Sequence, residues 1–359
     1  MSDLASAFRM QALGCARFGS LFYEALLNRA AEDIEARGPT LSLMSPWANA
    51  TRKEVFADAS HLRLMGGLHD LVLSGDDPAL AAAYPREGRA TNIDAAWTAA
   101  RAAMVTHADQ LAAFVTHEPQ TNEVRRSAVL LPGFLQIAHE TSLPLATFEI
   151  AASAGLNLNW DRYAYQLGDR AWGDPASPVS IDCDWEGPAP ALNAEIKVIS
   201  RAACDRRPTD LTDTVQRRRL LSYIWPDQFE RLARIRAAMD LAVSLSVKVE
   251  DADAVDWTDH MAAPRPGLAT VAYHSVFWQY MPSESQRALA AVLEGHGRAA
   301  TAEAPFAWLR MEPAPDNMAR MELRLTLWPG GEERVLAEVH PHGAWVKWAG
   351  CQGRIDARP

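Results

Sequence analysis

The stretch from Ala146 to Leu158 carries the residues best suited to ligand chemistry, and it reads ATFEIAASAGLNL. Its apolar start, its small residues and its helix-like end are typical of a strand, a tight turn and a helix. Small residues let backbone N–H groups approach a ligand, and a helix start adds unpaired donors and a positive dipole end. Glu149 stands where the strand would end, and its carboxylate can accept ribose hydroxyls or bind an amino acid ammonium. The stretch therefore predicts a site for a nucleotide-type ligand.

The acid and the small residues after it are spaced as Glu-x-Ala-x-Ser-x-Gly. This pattern resembles the first motif of class I S-adenosylmethionine-dependent methyltransferases, in which an acid precedes three alternating glycines. Ala151 and Ser153 stand where that motif has glycine, and Gly155 keeps it. The resemblance implies that S-adenosylmethionine is bound by Glu149, Ala151, Ser153, Gly155 and Asn157.

Two other functions fit the same turn. Ala-x-Ser-x-Gly is also a relaxed form of the nucleophile elbow, the strained turn that exposes the catalytic serine of α/β-hydrolases, here Ser153. Asp253 and Asp256 are the candidates for the acid of such an enzyme. His274 and His340 follow them, which gives the order Ser, acid, His. The third function is binding of a nucleotide-type ligand without catalysis, because the turn lacks glycines that the methyltransferase motif carries.

Further acids follow the later predicted strands, where ligands of α/β sheets bind. Asp205 follows a strand predicted at Ile196–Ile199 and can accept cofactor ribose hydroxyls, although a turn or helix cap is its alternative role. Asp253 and Ala254 follow a strand predicted at Leu245–Val249. An acid there can accept the exocyclic amine of adenine while the next backbone N–H meets a ring nitrogen. We therefore expect all three residues to bind the cofactor.

The chemical centre is predicted at His274, which follows a further strand. A histidine can act as a general base near neutral pH, and Gln279 and Tyr280 are placed to orient a substrate. Glu312, at the end of the strand predicted at Phe306–Met311, completes the catalytic candidates.

The elements that must position these residues fall into two predicted domains. Apolar residues recur at helical spacing in the first part, which predicts an all-helical domain over residues 1–140 that acts as a lid or substrate cap. Strands and helices then alternate, which predicts an α/β domain over residues 141–359 with a hairpin insertion near residues 163–185.

Polar residues gather at the junction of these predicted domains. Asn122, Glu123 and Arg125 are suited to hold a polar substrate there, and capping of the next helix by Thr121 is the structural alternative.

The last strands are predicted to be antiparallel. Only the eight residues 313–320 separate the strand at Phe306–Met311 from the one at Met321–Leu327, which is too short for a crossover helix. A third strand at Arg334–Val339 would return towards the site and bring His340–His342 near Glu312. Packing or surface roles are favoured for these histidines, and we predict no metal site.

The amino-acid composition limits the kinds of molecule that this protein is expected to bind. The chain has 359 residues, of which 48% are hydrophobic, so it can bury a large core in two domains. Its net charge of −10 makes duplex DNA or RNA a poor partner. No basic, apolar leader begins the chain and no apolar run approaches the ~18 residues of a membrane span. We expect a cytoplasmic protein with a small-molecule substrate and no membrane or nucleic-acid partner, and the oligomeric state stays open.

The four cysteines agree with a reducing compartment. They show no C-x-x-C spacing, so buried free thiols are expected in place of a zinc site or disulfides at Cys15, Cys183, Cys204 and Cys351.

The chain as a whole resembles an uncharacterised bacterial domain-of-unknown-function family with a methyltransferase-like C-terminal half. The motifs that carry this resemblance are Gln120–Glu123, Glu149–Leu158, Cys204–Pro208, Trp225–Gln228, His274–Tyr280 and His340–Gly343. The resemblance implies an α/β fold with a Rossmann-like methyltransferase sheet, mostly parallel with antiparallel C-terminal strands, and an N-terminal helical extension. We therefore expect an S-adenosylmethionine-dependent methyltransferase that acts on a small molecule.

Overall fold

The computed structural model describes residues 2–350, so Cys351, expected to be a free thiol, lies outside the described residues. Cys15, Cys183 and Cys204 are free and buried. The α-helices are α1 (Asp3–Arg17), α2 (Leu21–Glu35), α3 (Pro39–Leu43), α4 (Arg52–Ala57), α5 (Ser60–Ser74), α6 (Pro78–Ala83), α7 (Ile93–Thr106), α8 (Ala108–Val115), α9 (Ser127–Thr141), α10 (Thr214–Ser222), α11 (Phe229–Ser244), α12 (Ala254–Met261) and α13 (Ser283–Ala299).

The strands are β1 (Leu145–Ile150), β2 (Ala164–Leu167), β3 (Arg170–Trp172), β4 (Ser180–Glu186), β5 (Val198–Asp205), β6 (Glu250–Asp251), β7 (Ala269–Ser275), β8 (Phe306–Ala314), β9 (Asn317–Trp328), β10 (Glu333–Val339) and β11 (Trp345–Trp348). Short 3-10 helices cover Ser45–Trp47, Val124–Arg126, Leu156–Arg162 and Trp278–Tyr280. Among the described residues, every helix is too short or too polar to cross a membrane.

Internal contacts divide the chain into two compact units. The helical unit contains the described residues up to Thr121 together with Thr212–Arg236, and the sheet unit contains Asn122–Leu211 and the described residues from Ala237 onwards. This division falls between Thr121 and Asn122, whereas the sequence predicted a boundary after residue 140.

Two elements explain the different division. The helix α9 stays with the sheet because Gly133 brings its backbone against Leu309 of β8. The helix α10 packs in the helical unit, where Arg218 forms an ion pair with Asp70 of α5 at 2.9 Å.

The helical unit is built around one apolar core. Polar side chains cap its helices: the hydroxyl of Ser2 accepts a hydrogen bond from the N–H of Ala5 at the start of α1, and Asn92 caps α7 in the same way. The faces that point inwards are apolar, and residues such as Phe8, Leu26 and Leu64 are fully buried.

The sheet unit contains a mixed sheet with the strand order β3-β2-β4-β11-β10-β9-β8-β7-β1-β5-β6. The strands β6, β5, β1, β7 and β8 are mutually parallel, and β1, which lies between β5 and β7, is buried along its whole length. A strand covered on both faces reads as a continuous apolar run, as Leu145–Ile150 does. The chain is thus a mixed α/β protein with helices and a large, mostly parallel sheet.

The strands after β8 form the antiparallel meander expected from the short connection. β9 pairs antiparallel with both β8 and β10. In the region of the expected hairpin insertion, β2 pairs antiparallel with the short β3 but parallel with β4. These strands join the same sheet, because β4 also pairs with β11.

The prediction of a strand at Leu245–Val249 is wrong. There α11 ends: Ser246 adopts a left-handed φ of 53°, and the N–H of Val247 donates to the carbonyl of Ala242. Alternating apolar residues made this helix end look like a strand, and the third parallel strand is only Glu250–Asp251.

Candidate functional site

The turn after β1 has an unusual backbone. Ala151 and Ser153 both have φ of 56°, and Gly155 has φ of 68°. The left-handed conformation costs a residue with a Cβ roughly 1–2 kcal/mol, and such strain persists only where the surrounding structure imposes it. The turn therefore takes, at alternate positions, a conformation that suits glycine.

Asp205 at the end of β5 is one of the residues that impose this conformation. Its carboxylate accepts the N–H of Ser153 at 2.8 Å and the N–H of Arg207 at 2.9 Å. The carbonyl of Ser153 accepts a further hydrogen bond from the N–H of Thr209. Asp205, expected to bind ribose, thus holds the turn itself, although each carboxylate oxygen keeps a second acceptor position.

The segment expected to bind substrate also supports the turn. The Asn122 side-chain oxygen accepts the N–H of Leu156 at 2.9 Å, and the Asn157 amide donates to the carbonyl of Glu123 at 3.2 Å. Arg125 donates from Nε to the carbonyl of Asp182 at 2.8 Å. Asn122 and Glu123 are only 5% and 2% exposed. Their contacts position the start of the 3-10 helix at Leu156–Arg162.

Glu149 is a buried carboxyl group beside this turn. It is 4% exposed and accepts a hydrogen bond from the Tyr273 hydroxyl at 3.3 Å. Burial raises the pKa of Glu149 to about 8, and the hydrogen bond from Tyr273 opposes this shift. Glu149 is therefore largely protonated at neutral pH unless a cation approaches it. Tyr273 was missed by the sequence reasoning, although its position just before His274 in a neighbouring strand is a usable signal.

Several buried polar atoms of the turn and the 3-10 helix lack a hydrogen-bond partner among the described residues. They are the Ser153 hydroxyl, the Asn157 side-chain oxygen, both polar side-chain atoms of Asn159 and the Trp160 indole nitrogen. Buried polar groups almost always have partners, so such a concentration calls for an explanation, and a bound polar ligand or ordered water is a common one. Asn159 was not among the sequence candidates.

His274 lies on the opposite face of the sheet from Glu149. In the parallel register, Glu149 pairs with Tyr273 and not with His274, and neighbouring residues of a strand point to opposite faces. The ring of Tyr273 contacts Phe134 of α9, whereas that of His274 stacks on Trp278. The two groups therefore serve different sites.

The hydrogen bonds of His274 fix its tautomer. Trp308 donates its indole N–H to Nε2 at 3.0 Å, so Nε2 is unprotonated and Nδ1 carries the hydrogen that is donated to Glu312 at 2.7 Å. His274 is 0% exposed, and both its nitrogens are engaged. This geometry favours a structural role over that of general base. Trp308, the partner that fixes the tautomer, was not singled out from the sequence.

Glu312 anchors the segment after β7. The same oxygen that binds His274 accepts the N–H groups of Phe277 and Trp278, and the other oxygen is buried without a partner among the described residues. Gln279 and Tyr280 follow on the surface, and Tyr280 is 73% exposed. The structure therefore brings His274 and Glu312 together and leaves Gln279 and Tyr280 exposed to solvent.

The residues expected to bind adenine begin a helix. Asp253 accepts the N–H of Val255 as the N-cap of α12, and Ala254, 8% exposed, is the first residue of that helix. Near the end of β10, the N–H of His342 donates to Nδ1 of His340 at 3.0 Å. Within residues 2–350, no group of three or more His, Cys, Asp or Glu side chains is arranged to hold a metal ion.

Comparison with known proteins places the chain in one family. Residues 5–348 match the family of uncharacterized proteins conserved in bacteria (DUF2332), which covers nearly the whole chain, so the protein belongs to it. This confirms the resemblance to an uncharacterised bacterial family, the coarser part of what the sequence motifs indicated. No curated protein and no solved structure gives a significant match.

Proposed function

We propose that this member of the DUF2332 family is an S-adenosylmethionine-dependent methyltransferase that acts on a small molecule. The backbone of the turn after β1 carries the proposal, because Ala151, Ser153 and Gly155 are all left-handed. These are the positions of the three glycines in the first methyltransferase motif, and glycine is the residue that adopts this conformation without strain. The chain keeps the conformation although alanine and serine replace two of those glycines.

The strand order supports a ligand at this place. Among the mutually parallel strands, β5 and β6 lie on one side of β1, and β7 and β8, which follow them in the chain, lie on its other side. Open α/β sheets bind ligands at the carboxyl ends of the strands where the order reverses in this way. The turn at residues 151–155 lies at that end of β1.

The residues around the turn fit the chemical groups of the cofactor. Glu149 would hold the ammonium of its amino acid part, and the free acceptor positions of Asp205 would bind the ribose hydroxyls. The unpartnered atoms of Ser153, Asn157 and Asn159 support a polar ligand in this region. When bound, S-adenosylmethionine supplies an electrophilic methyl group, and the chain would orient it and exclude water.

The serine hydrolase alternative finds less support. A serine hydrolase needs a base hydrogen-bonded to its nucleophile, yet the Ser153 hydroxyl has no partner among the described residues. Both nitrogens of His274 are already engaged by Glu312 and Trp308. A fluorophosphonate probe should therefore leave Ser153 unlabelled. A protein that only binds the ligand would bind S-adenosylmethionine without transferring its methyl group to any compound in a small-molecule extract.

Thermal unfolding with S-adenosylmethionine or S-adenosylhomocysteine tests the proposal. A ligand present at about 100 times its dissociation constant adds about 2.7 kcal/mol to the free energy of unfolding. ATP and NAD are the controls, since they share the adenosine but lack the amino acid. Stabilisation by the two methionine-derived ligands alone is the expected result. Stabilisation by ATP or NAD alone, or by none of the four at millimolar concentration, would reject the proposal.

A further inference from the structure

The helical unit contains a cavity of about 900 Å³. This volume lies within the range of small-molecule sites, roughly 300–1,000 Å³. Much of its wall is apolar, including Leu43, Trp47, Met104, Val105, Ala112 and Val115. All of its lining residues belong to the helical unit, so it does not depend on the proposed cofactor site.

A buried arginine lines this cavity. Arg63 of α5 is 6% exposed, and its guanidinium lies 5.4 Å from the ring centre of Trp47. It donates from Nε to the carbonyl of Asp58 at 2.7 Å, and from Nη1 to the carbonyls of Val115 and Thr116. These acceptors are neutral, and Nη2 has no hydrogen-bond partner among the described residues.

The charge of Arg63 is therefore not neutralised by any residue from 2 to 350. A guanidinium stays protonated in proteins, and buried charges are normally paired with an opposite charge. Arg63 forms no ion pair with any carboxylate among the described residues, although one of its amino groups remains available in the wall of an apolar cavity. An uncompensated cation in this position points to an anionic ligand.

The other charged residues of the wall indicate how much negative charge the ligand carries. Arg37, Arg101 and Asp109 also line the cavity. Arg101 already shares its charge with Asp33 through an ion pair of 2.8 Å, and Arg37 and Asp109 are both exposed. The unpaired buried charge is a single unit at Arg63. A carboxylate matches this charge, whereas a phosphate monoester carries about −1.5 to −2 at neutral pH.

We propose that this cavity binds a small organic carboxylate with an apolar body. The carboxylate accepts a hydrogen bond from Nη2 of Arg63, because Nε and Nη1 already donate to backbone carbonyls. Arg101 lines the same cavity and adds positive charge to its wall. The hydrocarbon or aromatic body lies against Trp47, Met104 and Val115.

Calorimetric titration of the full-length protein with octanoate tests this site. 1-Octanol is the uncharged control of the same length, and inorganic phosphate tests for a phosphate site. Octanoate should bind measurably. Octanol should bind at least about tenfold more weakly because it lacks the charged partner of the guanidinium, and phosphate at least about tenfold more weakly because it lacks the apolar contacts. Absence of binding at millimolar octanoate, or equal binding of octanol or phosphate, would overturn the proposal.

Matched variants locate the site. Arg63→Met should weaken octanoate binding at least about tenfold, and Arg101→Gln about threefold or more. Arg29→Gln is the charge control, because Arg29 is an arginine of the same unit that does not line the cavity. If Arg63→Met does not fold, Arg101→Gln still tests whether positive charge in the cavity wall contributes to octanoate binding. An equal loss of affinity in Arg29→Gln and Arg101→Gln would contradict the assignment.

A steric pair provides an independent check. Ala112 and Ala113 are neighbouring exposed residues of α8, and only Ala112 lines the cavity. Ala112→Phe should weaken octanoate binding by at least about threefold, because the phenyl ring would fill part of the cavity. Ala113→Phe should leave octanoate binding unchanged. Unchanged binding in Ala112→Phe would place the ligand elsewhere.

Discussion

The left-handed turn after β1 predicts opposite effects of glycine at adjacent positions. Ala151 has φ of 56°, whereas Ala152 is not among the residues with positive φ. Relief of left-handed strain contributes about 1–2 kcal/mol in Ala151→Gly, and the greater freedom of the unfolded chain costs about 0.4–1 kcal/mol. Ala151→Gly should therefore raise the free energy of unfolding, by up to about 1.6 kcal/mol.

The neighbouring substitution should act in the other direction. Ala152 is 1% exposed, so Ala152→Gly loses a buried methyl group worth about 0.8 kcal/mol in addition to the unfolded-state cost of about 0.4–1 kcal/mol. The two variants should differ by roughly 2 kcal/mol. Ser153→Gly should resemble Ala151→Gly, because its backbone hydrogen bonds to Asp205 and Thr209 remain and its unpartnered hydroxyl is removed.

Urea unfolding followed by circular dichroism measures these differences, provided that the slope against denaturant is unchanged. The matched alanine pair makes the comparison independent of absolute stability. A loss of stability in Ala151→Gly as large as that in Ala152→Gly would refute the left-handed turn and with it the main support for the proposed cofactor site.

Two more substitutions test the buried polar groups. Burial raises the pKa of Glu149 to about 8 in the folded protein, above the value of about 4.3 for an unfolded chain. The contribution of Glu149 to the free energy of unfolding is therefore fully present below about pH 4.3 and is lost as the pH rises through about 8. Glu149→Gln should remove this loss of up to about 1.4 kcal/mol per pH unit, and parallel pH profiles of variant and wild type in urea unfolding would contradict the shift. Trp308→Phe should cost about 1–3 kcal/mol more than Trp257→Phe, because only Trp308 donates to a buried acceptor, Nε2 of His274, whereas the indole nitrogen of Trp257 has no partner among the described residues. Equal unfolding midpoints of the two variants would argue against the fixed tautomer.

The parts of the fold that follow local rules could be predicted from the sequence. The uniformly apolar run at Leu145–Ile150 predicted the buried strand β1, and the short connection after β8 predicted the antiparallel meander. The segment Leu245–Val249 could not be assigned in this way, because its alternating apolar residues belong to a helix end. Its two valines pack under Gly155, a contact that depends on the folded sheet.

The site was predictable in position but not in detail. The sequence located Glu149, Asp205 and the turn. Residue types alone indicate that a left-handed backbone would be strained at Ala151, but they do not show that the folded chain adopts it there. The left-handed backbone is held by a carboxylate far along the chain, at Asp205. The role of His274 depends likewise on the register that places Trp308 beside it, which no local pattern reveals.

Calorimetric titration with S-adenosylhomocysteine at neutral pH, on wild type, Glu149→Gln and Glu284→Gln, tests the proposed cofactor site most directly. Glu284 is an exposed glutamate at the start of α13 and serves as the control. We expect saturable binding to the wild type and the control, weakened at least about tenfold in Glu149→Gln, because the ligand ammonium loses a charged partner. No binding to the wild type, or equal affinity in all three proteins, would contradict it.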